Sequence, residues 1–247
     1  MKFEDMLNTI TLGDSYELIK DIPDSSIDLV YIDIPYETAY SGGGSFKNKV
    51  KNAVITMNEN VENLMNGIDY SILDELCRVL KIIHIYVWCS KNQVYKLMEY
   101  FVNKECNYNI LCWCKNNPVP FGASNFLSDI EYCLCFYEKG AKFYDGVEHK
   151  SKFYISNLNQ VDKKKFKHPT IKPLNLVKRH ILNSSREGDV VLDCFSGSGT
   201  TCVACKELKR NFIGIEINPE YHKISLDRLN GILANGQISF DTDINKI

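Results

Sequence analysis

The chain has 247 residues, of which 45% are hydrophobic and 24% charged, and its formal net charge is −2. This length and composition suffice for one substantial core, so a single α/β domain over residues 1–247 is predicted. No run reaches the roughly 20 apolar residues of a membrane span, and the first residues lack the pattern of an export signal. These features exclude a membrane protein and predict a cytoplasmic one.

Ten cysteines are scattered through apolar stretches of the chain. In a reducing compartment, cysteines in such positions act as small hydrophobic side chains. Cys202 and Cys205 have a zinc-like spacing, but no second Cys or His pair lies at a suitable distance along the chain. Buried free thiols and no metal site are therefore predicted.

Apolar runs alternate with amphipathic stretches along the chain. This pattern predicts a mostly parallel sheet with helices on both faces. The predicted strands are 27–32, 82–88, 109–115, 131–137, 190–194 and 212–215, and the predicted helices are 68–80, 92–103, 173–184, 200–208 and 219–233. Residues 37–62 and 140–167 fit neither pattern, so a mobile loop and a small insertion are expected there, both over the ligand-binding edge of the sheet.

Four residues, Asp33, Ile34, Pro35 and Tyr36, close the first predicted strand. In an open parallel sheet, ligands bind at the carboxyl ends of the strands. The Asp33 carboxylate and the Ile34 carbonyl are two acceptors suited to the two N–H bonds of an amine, and Pro35 restricts the Ile34 backbone. Tyr36 offers a flat face for a stacked base. Because Asp and Pro end many strands, this tetrapeptide alone does not indicate a site.

A basic stretch occupies the second half of the chain. Between Lys139 and Arg179, eleven Lys or Arg residues stand against three acidic ones. Its densest part contains Lys163, Lys164, Lys165 and Lys167. Such a run is often only a solvated loop, but beside a base-modifying site it is typical of a phosphate-contacting surface. These four lysines are the predicted nucleic-acid contacts.

A glycine-rich turn follows the predicted strand 190–194. Its candidate binding residues are Asp193, Phe195, Ser196, Gly197, Ser198, Gly199, Thr200 and Thr201. Glu216 ends the next strand, about 20 residues later, where a carboxylate binds the two hydroxyls of a ribose. Neither the dinucleotide G-x-G-x-x-G pattern nor a phosphate-binding Gly-Lys-Ser/Thr is present, so an adenosine cofactor without a pyrophosphate is predicted.

Together the two motifs resemble the amino-methyltransferases of DNA, in the β order in which the catalytic tetrapeptide precedes the cofactor motif. The resemblance covers nearly the whole chain and includes segments 12–15, 22–29, 76–81, 85–90, 168–173 and 214–221. It implies a Rossmann-like α/β fold in permuted order, forming a single methyltransferase domain. It also implies S-adenosylmethionine as cofactor and DNA as partner.

The resemblance further implies residue roles. Asp33, Ile34, Pro35 and Tyr36 would be catalytic, Asp14 would lie near the adenine of the cofactor, and Thr170 and Lys172 would contribute to its methionine pocket. The glycine turn and Glu216 would complete the cofactor site. Asp33 favours adenine N6 over cytosine N4 as the methylated amine, because relatives that act on cytosine more often carry Ser at that position.

Two features depart from the family pattern. Ile34 stands where the first of two prolines is usual, but the carbonyl is retained, so activity is expected to survive with a less rigid backbone. The expected target-recognition segment, at about 139–168, is short, which predicts low sequence selectivity or dependence on a second subunit, as in a homodimer. Cytosine N4 methylation, an RNA adenine or a protein-glutamine methyltransferase, and an inactive nucleic-acid-binding relative are the alternatives left open.

Overall fold

The computed structural model of the chain describes residues 1–37, 67–118, 126–144, 146, 149–166, 168 and 170–233. Its strands are β1 Thr9–Leu12, β2 Leu29–Asp33, β3 His84–Cys89, β4 Asn107–Lys115, β5 Ile130–Tyr137, β6 Phe153–Ser156, β7 Val190–Asp193 and β8 Asn211–Glu216. Its helices are α1 Phe3–Met6, α2 Ser15–Leu18, α3 Ile72–Val79, α4 Val94–Asn103, α5 Gln160–Phe166, α6 Leu174–Ser184, α7 Thr200–Glu207 and α8 Pro219–Leu229, and Ile19–Asp21 forms a 3-10 turn.

These eight strands form one sheet in the order β1-β8-β7-β2-β3-β5-β4-β6. Neighbouring strands are parallel except where β5 pairs with β3 and with β4. From β2 the chain continues to β3 on one side, whereas from β7 it continues to β8 on the other. The connections therefore reverse between β2 and β7, and the carboxyl ends of these two strands border the crevice where open α/β sheets bind ligands.

Helices cover both faces of the sheet, as predicted. Leu76 of α3 and Phe101 of α4 belong to the core on one face, and Val177 of α6 and Cys205 of α7 belong to the core on the other. Successive residues of β2 alternate between these two cores and all are buried up to Ile32. A strand buried on both faces is apolar throughout, which is why its sequence is a continuous hydrophobic run.

All ten cysteines are free thiols, and Cys133, Cys135, Cys194, Cys202 and Cys205 are at most 1% exposed. Seven of the ten cysteines are buried as predicted, whereas Cys77, Cys112 and Cys114 are partly exposed. Within the described ranges, no group of three or more His, Cys, Asp or Glu side chains is arranged to hold a metal ion. No helix in that part of the chain is both long and apolar enough to cross a membrane.

The six predicted strands are present with small changes at their ends, but β1 and β6 were not predicted. Both are edge strands of four residues that are mostly exposed or half-buried, so they lack the buried apolar run from which the equally short β7 was predicted. The small insertion expected over 140–167 contains two elements that were not predicted, β6 and α5, in its second half. The expected loop at 37–62 lies outside the described residues except for Glu37.

The basic stretch is divided between two edges of the sheet because β5 is antiparallel. The last residue of β5, Tyr137, pairs with His84, the first residue of β3. The chain then runs along the amino-terminal edge, where the Tyr144 amide donates to the Asn183 carbonyl near the end of α6. Only β6 returns to the crevice edge, where α5 follows. The first part of the predicted insertion therefore does not lie over the crevice, contrary to expectation.

Candidate active site

Asp33 is the last residue of β2 and lies at the crevice. One carboxylate oxygen, Oδ2, accepts a hydrogen bond from Lys172 Nζ at 2.5 Å. The other, Oδ1, is buried and has no hydrogen-bond partner among the described residues. An unpaired buried acceptor costs about 1–3 kcal/mol, so Oδ1 retains an unused capacity to accept a hydrogen bond.

The backbone after Asp33 is held by its neighbours. The Ile34 amide donates to the Trp88 carbonyl at 3.2 Å, and the Pro35 carbonyl accepts from Gln93 Nε2 at 2.8 Å. The Ile34 side chain, 2% exposed, packs in the core. A proline at position 34 would lack the amide that bonds to Trp88. The hydrogen bond from the Ile34 amide to the Trp88 carbonyl thus restrains the backbone at the position where the family usually has a proline ring.

Tyr36 points its hydroxyl into a group of charged side chains. The hydroxyl accepts from Lys172 Nζ at 3.1 Å and donates to Glu131 Oε2 at 3.3 Å. Burial, together with the Asp33 and Glu131 carboxylates, raises the pKa of Tyr36 well above its ordinary value, so the phenol stays neutral. These bonds fix the ring plane, and its predicted role as a stacking face stays a prediction.

Lys172 connects Asp33 to Glu131. The Lys172 ammonium lies 3.1 Å from Glu131 Oε2. Burial opposes the positive charge, but the two carboxylates outweigh it and raise the pKa of Lys172. Burial alone would raise the pKa of Glu131, yet Lys172 and Lys115 lower it to about 2. Burial raises the pKa of Asp33, with Lys172 opposing. The predicted cofactor role of Lys172 stays a prediction, and its contacts are with the catalytic motif.

The cofactor motif forms a tight turn between β7 and α7. Gly197 and Gly199 have φ of 49° and 75°, in the left-handed region that favours glycine. A Cβ on Gly199 would lie 2.9 Å from Ser225 Cβ, so a side chain is excluded there by packing as well. Glu216, 6% exposed, accepts the Gly197 amide at 2.6 Å and the Asn218 amide at 2.8 Å. The turn and the end of β8 are thereby joined.

Three carboxylates from three strands meet at this edge. Burial raises the pKa of Asp193 to about 7, and the Asp33 and Glu216 carboxylates add to the shift. Burial also raises the pKa of Glu216, against hydrogen bonds from Asn218 and Gly197. Acids kept this close in a desolvated site favour a cationic ligand, because a positive charge relieves their repulsion.

The hydroxyls of the turn bond within the protein. Arg228 Nη1 donates to Ser198 Oγ at 2.9 Å and to Thr200 Oγ1 at 2.8 Å. Ser196 Oγ donates to the Asp193 carbonyl at 3.2 Å, and the Thr201 side chain bonds to the Asp193 carboxylate. The Phe195 amide donates to that carboxylate at 3.1 Å. The predicted cofactor contacts of these residues stay predictions.

Asp14, near the start of the chain, and Thr170, just before α6, both lie near the glycine turn. Asp14 caps α2 through the Tyr16 amide at 2.9 Å, and the adjacent Gly13 amide donates to the Glu216 carbonyl at 2.9 Å. Thr170 is exposed, and its amide donates to His168 Nδ1 at 3.2 Å. The structure therefore brings both residues to the cofactor edge.

His168 lines the glycine turn with an unsatisfied nitrogen. Burial lowers the pKa of His168 to about 4, with the Arg228 charge adding, so the ring is neutral. Because Nδ1 accepts the Thr170 amide, the proton lies on Nε2, which is buried without a partner among the described residues. Nε2 lies 3.6 Å from where a Cβ on Gly197 would stand. An unmet donor, a glycine turn and buried carboxylates fit a nucleoside that also carries a cation and a carboxylate.

Three of the four predicted nucleic-acid contacts, Lys163, Lys164 and Lys165, lie on α5 at the crevice edge. Lys164 is exposed, Lys163 is half-buried, and Lys165 Nζ lies 5.6 Å from the Phe166 ring. Burial lowers the pKa of Lys163, against the attraction of Glu131. Lys167 lies outside the described residues. The DNA-contacting role of this segment stays a prediction.

Sequence reasoning missed four groups in this site: Glu131, Lys115, Arg228 and the free nitrogen of His168. Glu131 and Lys115 lie in strands whose sequence shows only apolar character with a charge at one end. Arg228 lies in α8 and reaches back 30 positions to Ser198. No local pattern marks such residues, because each acquires its role from a partner distant in sequence.

Comparisons with known proteins show the family to which the chain belongs. A sequence model of the DNA methylase family, N6/N4 type, matches residues 27–227. The chain is 34% identical to the Type II methyltransferase M.HinfI of Haemophilus influenzae over 94% of this chain and 70% of that protein. It is 30% identical to the Type II methyltransferase M2.MboI of Moraxella bovis over 95% and 92% of the two chains.

Solved structures share the fold. The complex of M1.HpyAVI with S-adenosylmethionine superposes with a TM-score of 0.66 at 24% identity, covering 89% of this chain and 98% of that one. The cytosine-N4-specific PvuII DNA methyltransferase gives 0.65 at 18% identity, covering 89% and 85%.

The Rossmann-like sheet is that of the solved DNA methyltransferases, and it carries Asp33 at the end of β2 and a glycine turn after β7. The chain belongs to the N6/N4 family of DNA methylases. The predicted family, fold class and cofactor are confirmed. Family membership also argues against the RNA and protein-glutamine alternatives.

Proposed function

We propose that this protein methylates N6 of adenine in DNA, by direct transfer to a base turned out of the duplex. The observation that carries the proposal is the buried Oδ1 of Asp33, which has no hydrogen-bond partner among the described residues and belongs to the residue just before Ile34. Two acceptors at this position suit an exocyclic amine, which has two N–H bonds to donate. The Tyr36 ring next to them is suited to stack against a base. In other proteins, alanine substitution shows that such stacking contributes about 1–3 kcal/mol per base.

The chain's own residues would prepare the amine for attack. An exocyclic amine is a poor nucleophile because its lone pair is delocalised into the ring. Hydrogen bonds to Asp33 Oδ1 and the Ile34 carbonyl draw the nitrogen toward tetrahedral geometry and release that lone pair. S-adenosylmethionine would supply the methyl group as an electrophile and would keep the electron pair of its carbon–sulfur bond. The amine held by Asp33 and Ile34 would accept the methyl group, and one amine proton would leave toward Asp33 and solvent.

Adenine is favoured over cytosine by Asp33. Relatives that act on cytosine N4 more often have Ser at this position, whereas an aspartate is typical of the adenine enzymes that this sequence resembles. Cytosine N4 is the second candidate, because the PvuII cytosine-N4-specific enzyme shares the fold. DNA contacts would come from the lysines of α5 at the same edge, and a homodimer is compatible with the short basic segment.

Nucleoside analysis distinguishes these candidates. DNA from cells that express the protein would be digested to nucleosides and analysed by mass spectrometry, with cells that express the Asp33→Ala variant as control. N6-methyladenine present only with the wild-type chain is the expected result. Detection of N4-methylcytosine instead would show that cytosine N4 is the methylated amine. The absence of both modifications would refute base methylation.

A further inference from the structure

A chain of ion pairs leads from Asp33 into the antiparallel part of the sheet. Lys172 Nζ lies 2.5 Å from Asp33 Oδ2 and 3.1 Å from Glu131 Oε2, and Glu131 Oε1 lies 2.7 Å from Lys115 Nζ. The Lys172 side chain is 9% exposed and that of Glu131 22%. The charges of the two acids and two bases cancel. Removal of any one of them would leave an uncompensated charge in a partly buried network, which is destabilising.

The Lys172 ammonium has no freedom to leave this position. Its three N–H donors have three acceptors: Asp33, Glu131 and the Tyr36 hydroxyl. The Tyr36 and Trp88 rings lie 5.3 Å and 5.1 Å from Nζ, within the range of cation–π attraction. Trp88 is itself held, because its Nε1 donates to the Tyr31 hydroxyl at 2.8 Å.

We infer that Lys172 and Glu131 are positioning residues for methyl transfer: Lys172 binds one oxygen of Asp33 and so directs Oδ1 to the target amine, and Glu131 holds Lys172. The inference rests on the proposed function. A carboxylate rotates easily about its last torsion, where preferences are broad. The ion pair selects one orientation, and a misplacement of about 1 Å can reduce a rate by about 10²-fold.

The two residues have opposite electrostatic effects on Asp33. The Lys172 charge favours the ionised carboxylate, which is the form that accepts hydrogen bonds, whereas the Glu131 charge disfavours it. Removal of each charge should therefore move the acidic limb of the pH–rate profile in opposite directions. A purely structural defect would lower the rate at every pH alike.

The test compares Lys172→Met and Glu131→Gln in single-turnover methyl transfer to duplex DNA as a function of pH. Lys172→Met should reduce the rate by about 10²-fold at neutral pH and shift the acidic limb upward, so that activity partly recovers in base. Glu131→Gln should shift the limb downward. Cofactor affinity, measured by calorimetry, should not change. Lys178→Met, which removes a lysine of α6 paired with Glu207 away from the crevice, is the matched control.

Several outcomes would overturn the inference. An unchanged rate and pH profile in Lys172→Met would do so while leaving the proposed function intact, whereas a wild-type chain that methylates no DNA amine would refute the proposed function itself. A loss of cofactor affinity equal to the loss of rate would assign Lys172 to the cofactor site instead. If Lys172→Met does not fold, the nearly isosteric Glu131→Gln decides, and an unmoved limb contradicts the inference.

Discussion

Asp33 has one oxygen bound to a cation and one buried without a partner among the described residues. The side chain as a whole is 31% exposed, but one oxygen is anchored and the other is left unsatisfied. Desolvation strengthens its remaining hydrogen-bonding capacity, because water no longer competes for Oδ1. The catalytic role that we propose for Asp33 depends on that asymmetry.

Asp33→Ala removes the acceptor and should lower methyl transfer by a factor on the order of 10³, while cofactor affinity stays close to that of the wild type. Transfer of a labelled methyl group to DNA, with calorimetry of the cofactor alone, measures both quantities. Asp24→Ala, at a side chain 76% exposed, is the control and should behave as wild type. Full turnover by the Asp33 variant would show that the amine is held elsewhere.

Glu216 shapes the cofactor turn through two backbone amides, those of Gly197 and Asn218. In Glu216→Gln, one amide loses its charged acceptor and the predicted ribose contact weakens. Cofactor affinity should fall about tenfold or more, which corresponds to about 1.4 kcal/mol. Isothermal calorimetry is the measurement, with the exposed Glu220→Gln as control, and equal affinities would contradict a contact with the ribose.

At the scale of elements, β5 and α5 determine what surrounds the catalytic motif. Because β5 is antiparallel to β3, its first residues, including Glu131, lie at the crevice. The residues after Tyr137 therefore lie at the opposite edge of the sheet. The short β6 then carries the chain back, so α5 is the part of the basic stretch that reaches the crevice.

This division of the basic stretch predicts a division of DNA affinity. Replacement of Lys163, Lys164 and Lys165 by Gln should weaken binding and reduce the slope of log affinity against log salt by about 1 for each lysine that contacts a phosphate. Fluorescence anisotropy over a salt series measures the slope. Replacement of Lys139, Lys142 and Lys209, which are exposed at the amino-terminal edge, should leave it unchanged. Identical slopes for the two triple variants would place the interface elsewhere.

At the scale of the whole molecule, the permuted order brings acids from the beginning and the end of the chain to one crevice. Asp33 ends β2, Asp193 ends β7 and Glu216 ends β8, so the carboxyl edges of three parallel strands carry them. The repulsion among these acids is relieved when a cation binds. Stability without cofactor and affinity for it should therefore both depend on pH.

The pKa of Asp193 is raised from 3.8 to about 7 in the folded chain. A group whose pKa rises on folding adds stability below its unfolded pKa and loses it as pH increases through the folded value. The melting temperature of the cofactor-free protein should therefore fall between about pH 4 and pH 7 through this residue. In Asp193→Asn that part of the fall should disappear. A thermal scan at several pH values, with Asp5→Asn as surface control, makes the comparison, and equal pH dependence would refute the shift.

Local patterns in the sequence were sufficient to predict most of the sheet and to place the two candidate motifs at strand ends. Asp33 to Tyr36 and the turn from Asp193 to Thr201 are contiguous motifs, and a strand end is recognisable because an apolar run stops at a polar residue. The rule that parallel strands present their carboxyl ends to one edge then joined the two motifs correctly. The four-residue edge strands β1 and β6 were not predicted, because neither shows a buried apolar run in the sequence.

The partners of those motifs were decided by tertiary structure alone. Lys172 and Asp33 are 139 positions apart, and Arg228 and Ser198 are 30 apart, so neither contact leaves a pattern in a local window. The antiparallel direction of β5, on which the place of Glu131 depends, results from strand pairing across the sheet. Sequence motifs determine which chemical groups are available, whereas burial and long-range pairing determine which oxygen of Asp33 is bound and which is free.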